Sequence, residues 1–459
     1  MKSILKTKTY LYSLILFLGI ITSFSLPPYN FFFINFLTLP ILLYILINYI
    51  NQKLSFFLIG WIFGTGYFIS NLYWITNSLT FDENLKIIIP FAIILIPTFL
   101  GLFYGLITYL CSFLDLKNKF SSILIFSLFF STVEYLRSFI FGGFPWNLLV
   151  FSLSNNLYSL QILSYIGTYT LNLLSITIFL FPIVIFFQCG NFQKSAILTL
   201  GFVLVLINIG YGNFNLKKFK RINNENLNLV IRIVSPNIAI ERFLTIQDPE
   251  PNIIELIDLS EPNNSEKTIF IFPEGVIPNI NLDELELFKK LFIEKYSINH
   301  KIILGINNLV EDKIFNSMIL INDKAEIVYQ YNKNKLVPFG EFLPFENFFR
   351  RIGLKKVTQG YQSFSSDNER KILSINQLKF LPLICYEIIY SGKINLYKED
   401  YDFILNISED GWFGKSIGPA QHLSHSIFRS IEEGKNVFRS TNNGVSAHIN
   451  PKGQIINQI

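Results

Sequence analysis

The stretch KFLPLICYEIIYSG, Lys379 to Gly392, is an apolar run that ends in Cys385, Tyr386 and Glu387 instead of a turn former. Its apolar residues are consecutive, as in a strand covered on both faces. A thiol beside a carboxylate at the end of such a strand points to chemistry, although a lone cysteine more often behaves as a small buried hydrophobe. The choice depends on whether other reactive side chains stand at equivalent places. Two do: TIFIFPEG finishes in Glu274, and EIVYQYNK runs just past its strand to Lys333. An acid, a base and a thiol at the ends of three strands can converge, because ligands of open α/β sheets bind at the carboxyl ends. Taken singly, Glu274 and Lys333 would read as solvated surface charges.

Together the three make a nucleophilic centre. A thiol at its ordinary pKa is only slightly ionised at neutral pH, but a nearby ammonium favours the thiolate and a carboxylate can accept its proton. Cys385 would be the nucleophile and Glu274 the general base. Lys333, with backbone N–H groups after Cys385, would stabilise the oxyanion formed on attack at a carbonyl.

The rest of the chain says where this centre works. Of 459 residues 51% are hydrophobic and 15% charged, which excludes an ordinary soluble globule. Seven stretches are long enough to cross a bilayer, for which ~20 apolar residues are needed. They are Tyr10–Leu26, Phe31–Ile50, Ser55–Ile75, Ile87–Phe113, Phe120–Phe141, Leu157–Phe187 and Ser195–Tyr211. MKSILKTK resembles the basic start of a signal peptide, but no small-residue cleavage site comes after it, so a retained anchor is expected. Lys2, Lys6 and Lys8, then Lys53, Lys117 with Lys119, and Lys194 fall on one side, against Lys86 and Arg137 on the other. That bias puts the N-terminus in the cytoplasm, and an odd number of spans delivers the C-terminal half of the chain to the far side. The basic LKKFKR (Leu216–Arg221) opens a long domain, and long domains translocate largely regardless of charge. We therefore expect a transmembrane domain over 1–215 and an extracytoplasmic catalytic domain over 226–459.

In the second domain, strand patterns run through Leu229–Ser235, Thr268–Phe272, Lys301–Ile306, Asn316–Ile321, Glu326–Tyr331, Phe380–Ile384 and Phe403–Ser408. LDELELFKKLFIEKY (Leu282–Tyr296) puts Leu285, Phe288 and Phe292 on one helical stripe. This is a layered α/β domain. The net charge of +5 carries no nucleic-acid signature, and His422 and His425 lack the spacing of a metal site, so no metal is expected. Glu134 and Arg137, at the end of one span, are read as a structural pair or a functional site in equal measure. The glycines of GWIFGTG are expected to let helices approach closely.

The set FPEG, YNKNKLVPFGEFLPF, ICYE and NISEDGWFGKSIGPAQHL, followed by RSIEEGKNVFRSTNNG, resembles the carbon–nitrogen hydrolase (nitrilase) superfamily. Its members use a Glu-Lys-Cys triad in an αββα sandwich. LVPFGE and CYE attached to membrane spans, with EYLRSFIFGGFPWN (Glu134–Asn147) and GWIFGTGYFISNLYWI (Gly60–Ile75), are similar within it to the bacterial apolipoprotein N-acyltransferases. By position the resemblance makes Glu274 the base, Lys333 the oxyanion-stabilising lysine and Cys385 the acylated nucleophile. Lys333, two residues after Tyr331 and eight before Glu341, fits that spacing, and Lys335 does not. Glu341 would orient Lys333, and Tyr386, Glu387, Phe243 and Trp412 would shape the pocket. The resemblance implies acyl transfer from a membrane phospholipid to the N-terminal amine of a diacylglyceryl-cysteine apolipoprotein, through a ping-pong thioester route in the class EC 2.3.1. It implies no cofactor, a multi-pass protein of the bacterial inner membrane and a periplasmic catalytic domain; the oligomeric state is open, with a monomer expected.

Phe272 stands where the family has Trp, EDGWF (Glu409–Phe413) replaces the family's Asn-Asp-Ala-Trp-Phe, and Phe243 lies near an expected pocket Trp. The family continues past PKGQIINQI with more strand and a final membrane helix, whereas this sequence stops at Ile459, so either it is truncated or the last anchor is dispensable here. Two other functions compete. A membrane-tethered amidase or nitrilase would pass the acyl group to water, and a receptor or transporter with an inactive hydrolase-like domain would need no triad.

Overall fold

The computed structural model describes residues 8–219, 229–243, 248–344, 351, 363–375, 377–395 and 399–459. Lys2, Lys6, Lys220 and Arg221 lie outside them. The chain divides into two compact units, Met1–Phe219 with Lys415–Ser424, and Lys220–Gly414 with His425–Ile459.

The first unit is helical. Its elements are α1 (Lys8–Ser23), α2 (Asn35–Tyr49), α3 (Lys53–Leu72), α4 (Ile89–Cys111), α5 (Phe120–Arg137), α6 (Leu163–Leu180) and α7 (Asn191–Lys218). With their 3-10 extensions, six helical segments among the described residues are long and apolar enough to cross a membrane, and α1 is a shorter apolar helix of 16 residues. At 1.5 Å per residue α1 covers ~24 Å. The expected stretch Leu157–Phe187 is instead broken into three pieces: a turn at Leu157–Leu160, α6 with Gly167 at φ 70°, and a 3-10 run Phe181–Phe186 begun by the helix-breaking Pro182. The helix expected over Phe120–Phe141 stops at Arg137, and Phe141, Gly142 and Gly143 then turn the chain with positive φ.

Close approach explains the glycines of α3. A Cβ at Gly60 would collide with Thr108 and the Tyr104 carbonyl of α4, and one at Gly64 would lie 2.7 Å from Tyr104 Cβ and 3.0 Å from Gly101 Cα. Helices in lipid associate through such van der Waals contact, since lipid supplies no hydrophobic drive between them. The intramembrane charges are tied into this packing. Glu134 accepts hydrogen bonds from Tyr104 Oη (3.0 Å) and Asn172 Nδ2 (2.5 Å), while Arg137 donates to Phe144 O (2.6 Å) and lies 3.8 Å from Glu134. The segment Lys415–Ser424 joins this unit through Gln421, whose Oε1 accepts from both Trp74 Nε1 (3.2 Å) and Trp146 Nε1 (2.8 Å).

The second unit is α/β, with two mixed sheets. One has the order β1-β2-β3-β4-β5, from Leu229–Ile233, Lys267–Ile271, His300–Val310, Lys313–Ile321 and Ile327–Asn332. The other has the order β11-β10-β9-β8-β7-β6 and runs from β6 (Leu373–Ile375) and β7 (Leu378–Ile384) through β8 (Phe403–Glu409), β9 (Asn436–Asn442) and β10 (Ala447–Ile449) to β11 (Ile455–Gln458). All seven expected strands are present, and β6, β9, β10 and β11 are additional. On the first sheet Phe270, Ile302, Leu304 and Ile319 form one core with α8 (Pro249–Ser260) and α9 (Lys289–Lys295). The expected helix Leu282–Tyr296 begins as a 3-10 run, Leu282–Phe288, and only α9 is α-helical. Its predicted stripe still faces inward: Leu285 and Phe292 are buried and Phe288 packs against them. The last helix, α10, spans Gly418–Glu433. The sheets are stitched by polar side chains, since Ser440 Oγ of β9 donates to Val234 O (3.0 Å) and Ile271 O (3.1 Å).

Replacing Gly60 by Leu should destabilise the α3–α4 pair by about 1–3 kcal/mol through overpacking. Thermal unfolding in detergent, followed by tryptophan fluorescence, should show a lower midpoint, and an unchanged midpoint would mean that the two helices are not in contact.

Candidate active site

Each of the three strand-end residues is delivered by backbone geometry. After β2 the chain keeps pairing with β3 for two residues, with Phe272 N–H on Ile303 O (2.8 Å) and Gly305 N–H on Pro273 O (3.1 Å). Glu274 comes next, and this approach requires Gly305: a Cβ there would sit 2.6 Å from Glu274 Cα and 2.6 Å from Gly275 N. Lys333 is the first residue after β5, and its N–H bonds Asn316 O of β4 (2.8 Å). Cys385 is the first residue after β7 and opens a 3-10 turn, Cys385–Ile389, at φ +49°. A non-glycine residue in that left-handed region carries strain, which persists where the surroundings hold it.

The holding group is Glu387, fully buried. Its Oε1 accepts the backbone N–H of Asn334 (2.9 Å) and Lys335 (3.1 Å), and its Oε2 accepts the N–H of Ile384 (2.8 Å). Tyr331 Oη reaches both oxygens (2.8 and 2.9 Å), and Arg370 Nη2 forms an ion pair at 2.7 Å. One carboxylate thus fastens the turn carrying the thiol to the segment carrying the lysine. Tyr386, also buried, packs edge-on against Tyr390. Trp412 is half-buried on the 3-10 turn Asp410–Phe413 after β8. Phe243 ends a turn at Ile240–Phe243, and its side chain lies outside the described residues.

Lys333 is 1% exposed, with Nζ at 3.2 Å from Glu274 Oε1 and 2.9 Å from Glu341 Oε1. Asn316 Nδ2 donates to the same two oxygens, at 2.7 and 2.9 Å, and Val337 N–H fixes Glu341 Oε2 (2.8 Å). Asn316 escaped the sequence reading, and its signal is an amide amid the apolar residues of β4. Burial pulls the Lys333 ammonium down, but Glu274, Glu341 and Cys385 together push it well above the usual lysine range, so it is a cation. For Cys385, burial and then Glu274 push the thiol above its ordinary range, outweighing Lys333. The resting sulfur is therefore protonated. The ammonium does not by itself generate a standing thiolate. On Glu274, Oε1 is occupied by Lys333 and Asn316, while among the described residues Oε2 receives one N–H, from Glu409 at 2.8 Å.

A buried thiol, a carboxylate and an ammonium at strand ends of an α/β unit are the groups that cysteine-dependent acyl transfer, the chemistry of the carbon–nitrogen hydrolase class, would require. Residues 269–459 match the family model described as carbon-nitrogen hydrolase, and residues 18–181 match that of the apolipoprotein N-acyltransferase N-terminal domain. The chain is 30% identical to proteins named apolipoprotein N-acyltransferase from Brucella suis biovar 1 (strain 1330), over 95% of this chain and 85% of that protein, and from Rhizobium rhizogenes (strain K84 / ATCC BAA-868), over 96% and 86%. Among solved structures it is similar to a CN-hydrolase superfamily protein from Xanthomonas campestris, at 15% identity and a TM-score of 0.36, over 50% of this chain and 85% of that one. The chain belongs to the apolipoprotein N-acyltransferase family.

With Cys111 and Cys189 changed to Ser, alkylation of Cys385 by iodoacetamide should be at least ~10-fold slower at pH 8 than that of an exposed thiol, and should keep rising beyond pH 9, because only the thiolate reacts. Rapid labelling at neutral pH would reveal a standing thiolate and contradict this electrostatic account.

Proposed function

We propose that the chain is an apolipoprotein N-acyltransferase that moves an acyl chain from a phospholipid to the N-terminal amine of a diacylglyceryl-cysteine lipoprotein, using Glu274, Lys333 and Cys385. The observation that carries the reading is the buried Lys333 shared by Glu274 and Glu341, in a chain whose helical unit also matches the family. In the first half-reaction Cys385 Sγ attacks the ester carbonyl as its proton passes to Glu274. Two Lys333 hydrogens are held by carboxylates, and the third stabilises the oxyanion with the N–H groups after Cys385. Collapse breaks the C–O bond, and the lysophospholipid oxygen leaves with the proton from Glu274. In the second half, the amine attacks the thioester, gives a proton to Glu274 and displaces sulfur, which takes the proton back. One amide has formed and the enzyme is regenerated.

Lipid substrates account for the helical unit, which an amidase acting on a soluble amide would not need. With α1 counted as the first of seven crossings, the N-terminus is cytoplasmic and the α/β unit lies on the periplasmic side of the inner membrane. Protease added to spheroplasts should then cleave within the α/β unit, and complete protection would reverse this topology.

Incubation with phospholipid alone should leave a hydroxylamine-sensitive acyl group on Cys385, absent in Cys385→Ala and Glu274→Gln. It should be discharged by a diacylglyceryl peptide and not by water over the same time. Discharge by water at an equal rate would favour the amidase, and acylation surviving Cys385→Ala would end the covalent route. Lys333→Met should lower the acylation rate by ~10²–10³, as loss of an oxyanion donor does, while Lys335→Met should keep most of it. The reverse ranking would move the catalytic role to Lys335.

A further inference from the structure

Asn316 stands on β4 beside the end of β5 and grips Lys333 twice. Its carbonyl accepts the Lys333 N–H at 2.8 Å, one step beyond the Ser317–Asn332 pair that closes the ladder of the two strands. Its side chain, in a residue only 7% exposed, sends Nδ2 to Glu274 Oε1 at 2.7 Å and to Glu341 Oε1 at 2.9 Å. These are the same two oxygens that hold Lys333 Nζ, at 3.2 and 2.9 Å. The amide has to face them with its nitrogen, because its carbonyl oxygen would be repelled by two carboxylate oxygens at that distance. An amide NH2 carries two hydrogens in a fixed fork, and here one goes to each glutamate.

The acceptor positions of Glu274 give this fork a consequence. A carboxylate oxygen offers about two lone-pair sites. Glu274 Oε1 is filled by Lys333 and Asn316, whereas among the described residues Oε2 receives one N–H, from Glu409 at 2.8 Å. Glu409 offers Glu274 its backbone, while its own carboxylate is ion-paired with Arg242 at 2.6 Å. One site on Oε2 is thus left for a proton.

We infer that Asn316 is a positioning residue of the triad: by filling Glu274 Oε1 together with Lys333 it leaves Oε2 to take the Cys385 proton, and by tying both glutamates it aims the remaining Nζ hydrogen at the oxyanion. The inference rests on the proposed roles of Glu274 and Lys333. A neutral side chain with two donors is what the place requires. Aspartate would set a third carboxylate against the other two. Leucine would leave Oε1 of each glutamate with Lys333 as its one donor among the described residues, so that Glu274 Oε1 competes for the proton and Nζ drifts between the glutamates.

The test is single-turnover acylation of Cys385 in the full-length protein, in detergent with phospholipid as the only substrate, read as a maximum rate and a half-saturating phospholipid concentration. The Asn316 carbonyl persists in every variant, so the contact to the Lys333 N–H is kept and the side chain alone is tested. Asn316→Leu should lower the maximum rate by about 10²-fold, as a misplacement of about 1 Å does, with the half-saturating concentration unchanged. Asn316→Gln keeps the fork and should stay within about ten-fold of wild type, while Asn316→Asp, the closer match in shape, should fall to the level of the leucine variant or below. A residue needed only for its packing would rank them by shape, with aspartate best and the longer glutamine worst. A maximum rate within about two-fold of wild type in Asn316→Leu, aspartate outperforming glutamine, or a loss confined to the half-saturating concentration would each overturn the inference. Should Asn316→Leu not fold, the comparison of glutamine with aspartate carries the test. Glu274→Gln and Lys333→Met run in parallel keep the two readings apart. If either acylates Cys385 at the wild-type rate, the proposed triad is wrong; if both are impaired and the Asn316 variants behave as wild type, only the role of Asn316 is wrong.

Discussion

A lysine with 1% of its surface exposed, shared by two carboxylates, is the contact around which the α/β unit is arranged. Burying one ammonium costs several kcal/mol unless its hydrogen bonds are met, and removing one partner of such a group typically costs about 3–5 kcal/mol. Lys333 therefore cannot be placed independently of Glu274 and Glu341, and each of these comes from a different part of the chain. Asn316 ties the two carboxylates together from a fourth element. The positions of β2, β4 and β5 are constrained by this one charge balance as much as by the apolar core behind them.

The thiol is held by a second, separate device. Glu387 gathers backbone N–H groups from both the Cys385 turn and the Lys333 segment, so the strained φ of Cys385 and the position of the lysine are set by the same carboxylate. Its charge is balanced by Arg370, and Tyr331 completes the shell. Fully satisfied buried networks of this kind rigidify a site. For the proposed chemistry the rigidity has a consequence: with the Cys385 thiol pushed up by burial, its proton would have to pass to a base already in place as the carbon–sulfur bond forms.

The fold is legible in the sequence where the physics is local. Apolar runs declare the helices of the first unit, and hydrophobic periodicity declares seven strands together with the ends at Glu274, Lys333 and Cys385. It does not declare β9, because NVFRSTN has the composition of a loop. That segment is a strand because Ser440 and Asn442 bond the backbone of residues 234–271 and Arg439 is neutralised by Asp410, partners scattered through the chain. Asn316, Arg370 and Arg242 are hidden for the same reason: their roles depend on long-range pairing that no spacing reveals. The broken helix at 157–186 reads as one span because hydropathy counts apolar residues and does not register the turn at Gly167.

The central claim is that this charge-locked trio drives lipoprotein N-acylation through the sulfur of Cys385. Mass spectrometry of lipoprotein N-termini, from cells depleted of their own enzyme and supplied with either this protein or its Cys385→Ala variant, tests it most directly. The account predicts a third acyl chain on the N-terminal cysteine with the intact protein and only the diacylglyceryl form with the variant. Triacylated N-termini in cells carrying Cys385→Ala, or diacyl forms alone with the intact protein, would contradict it.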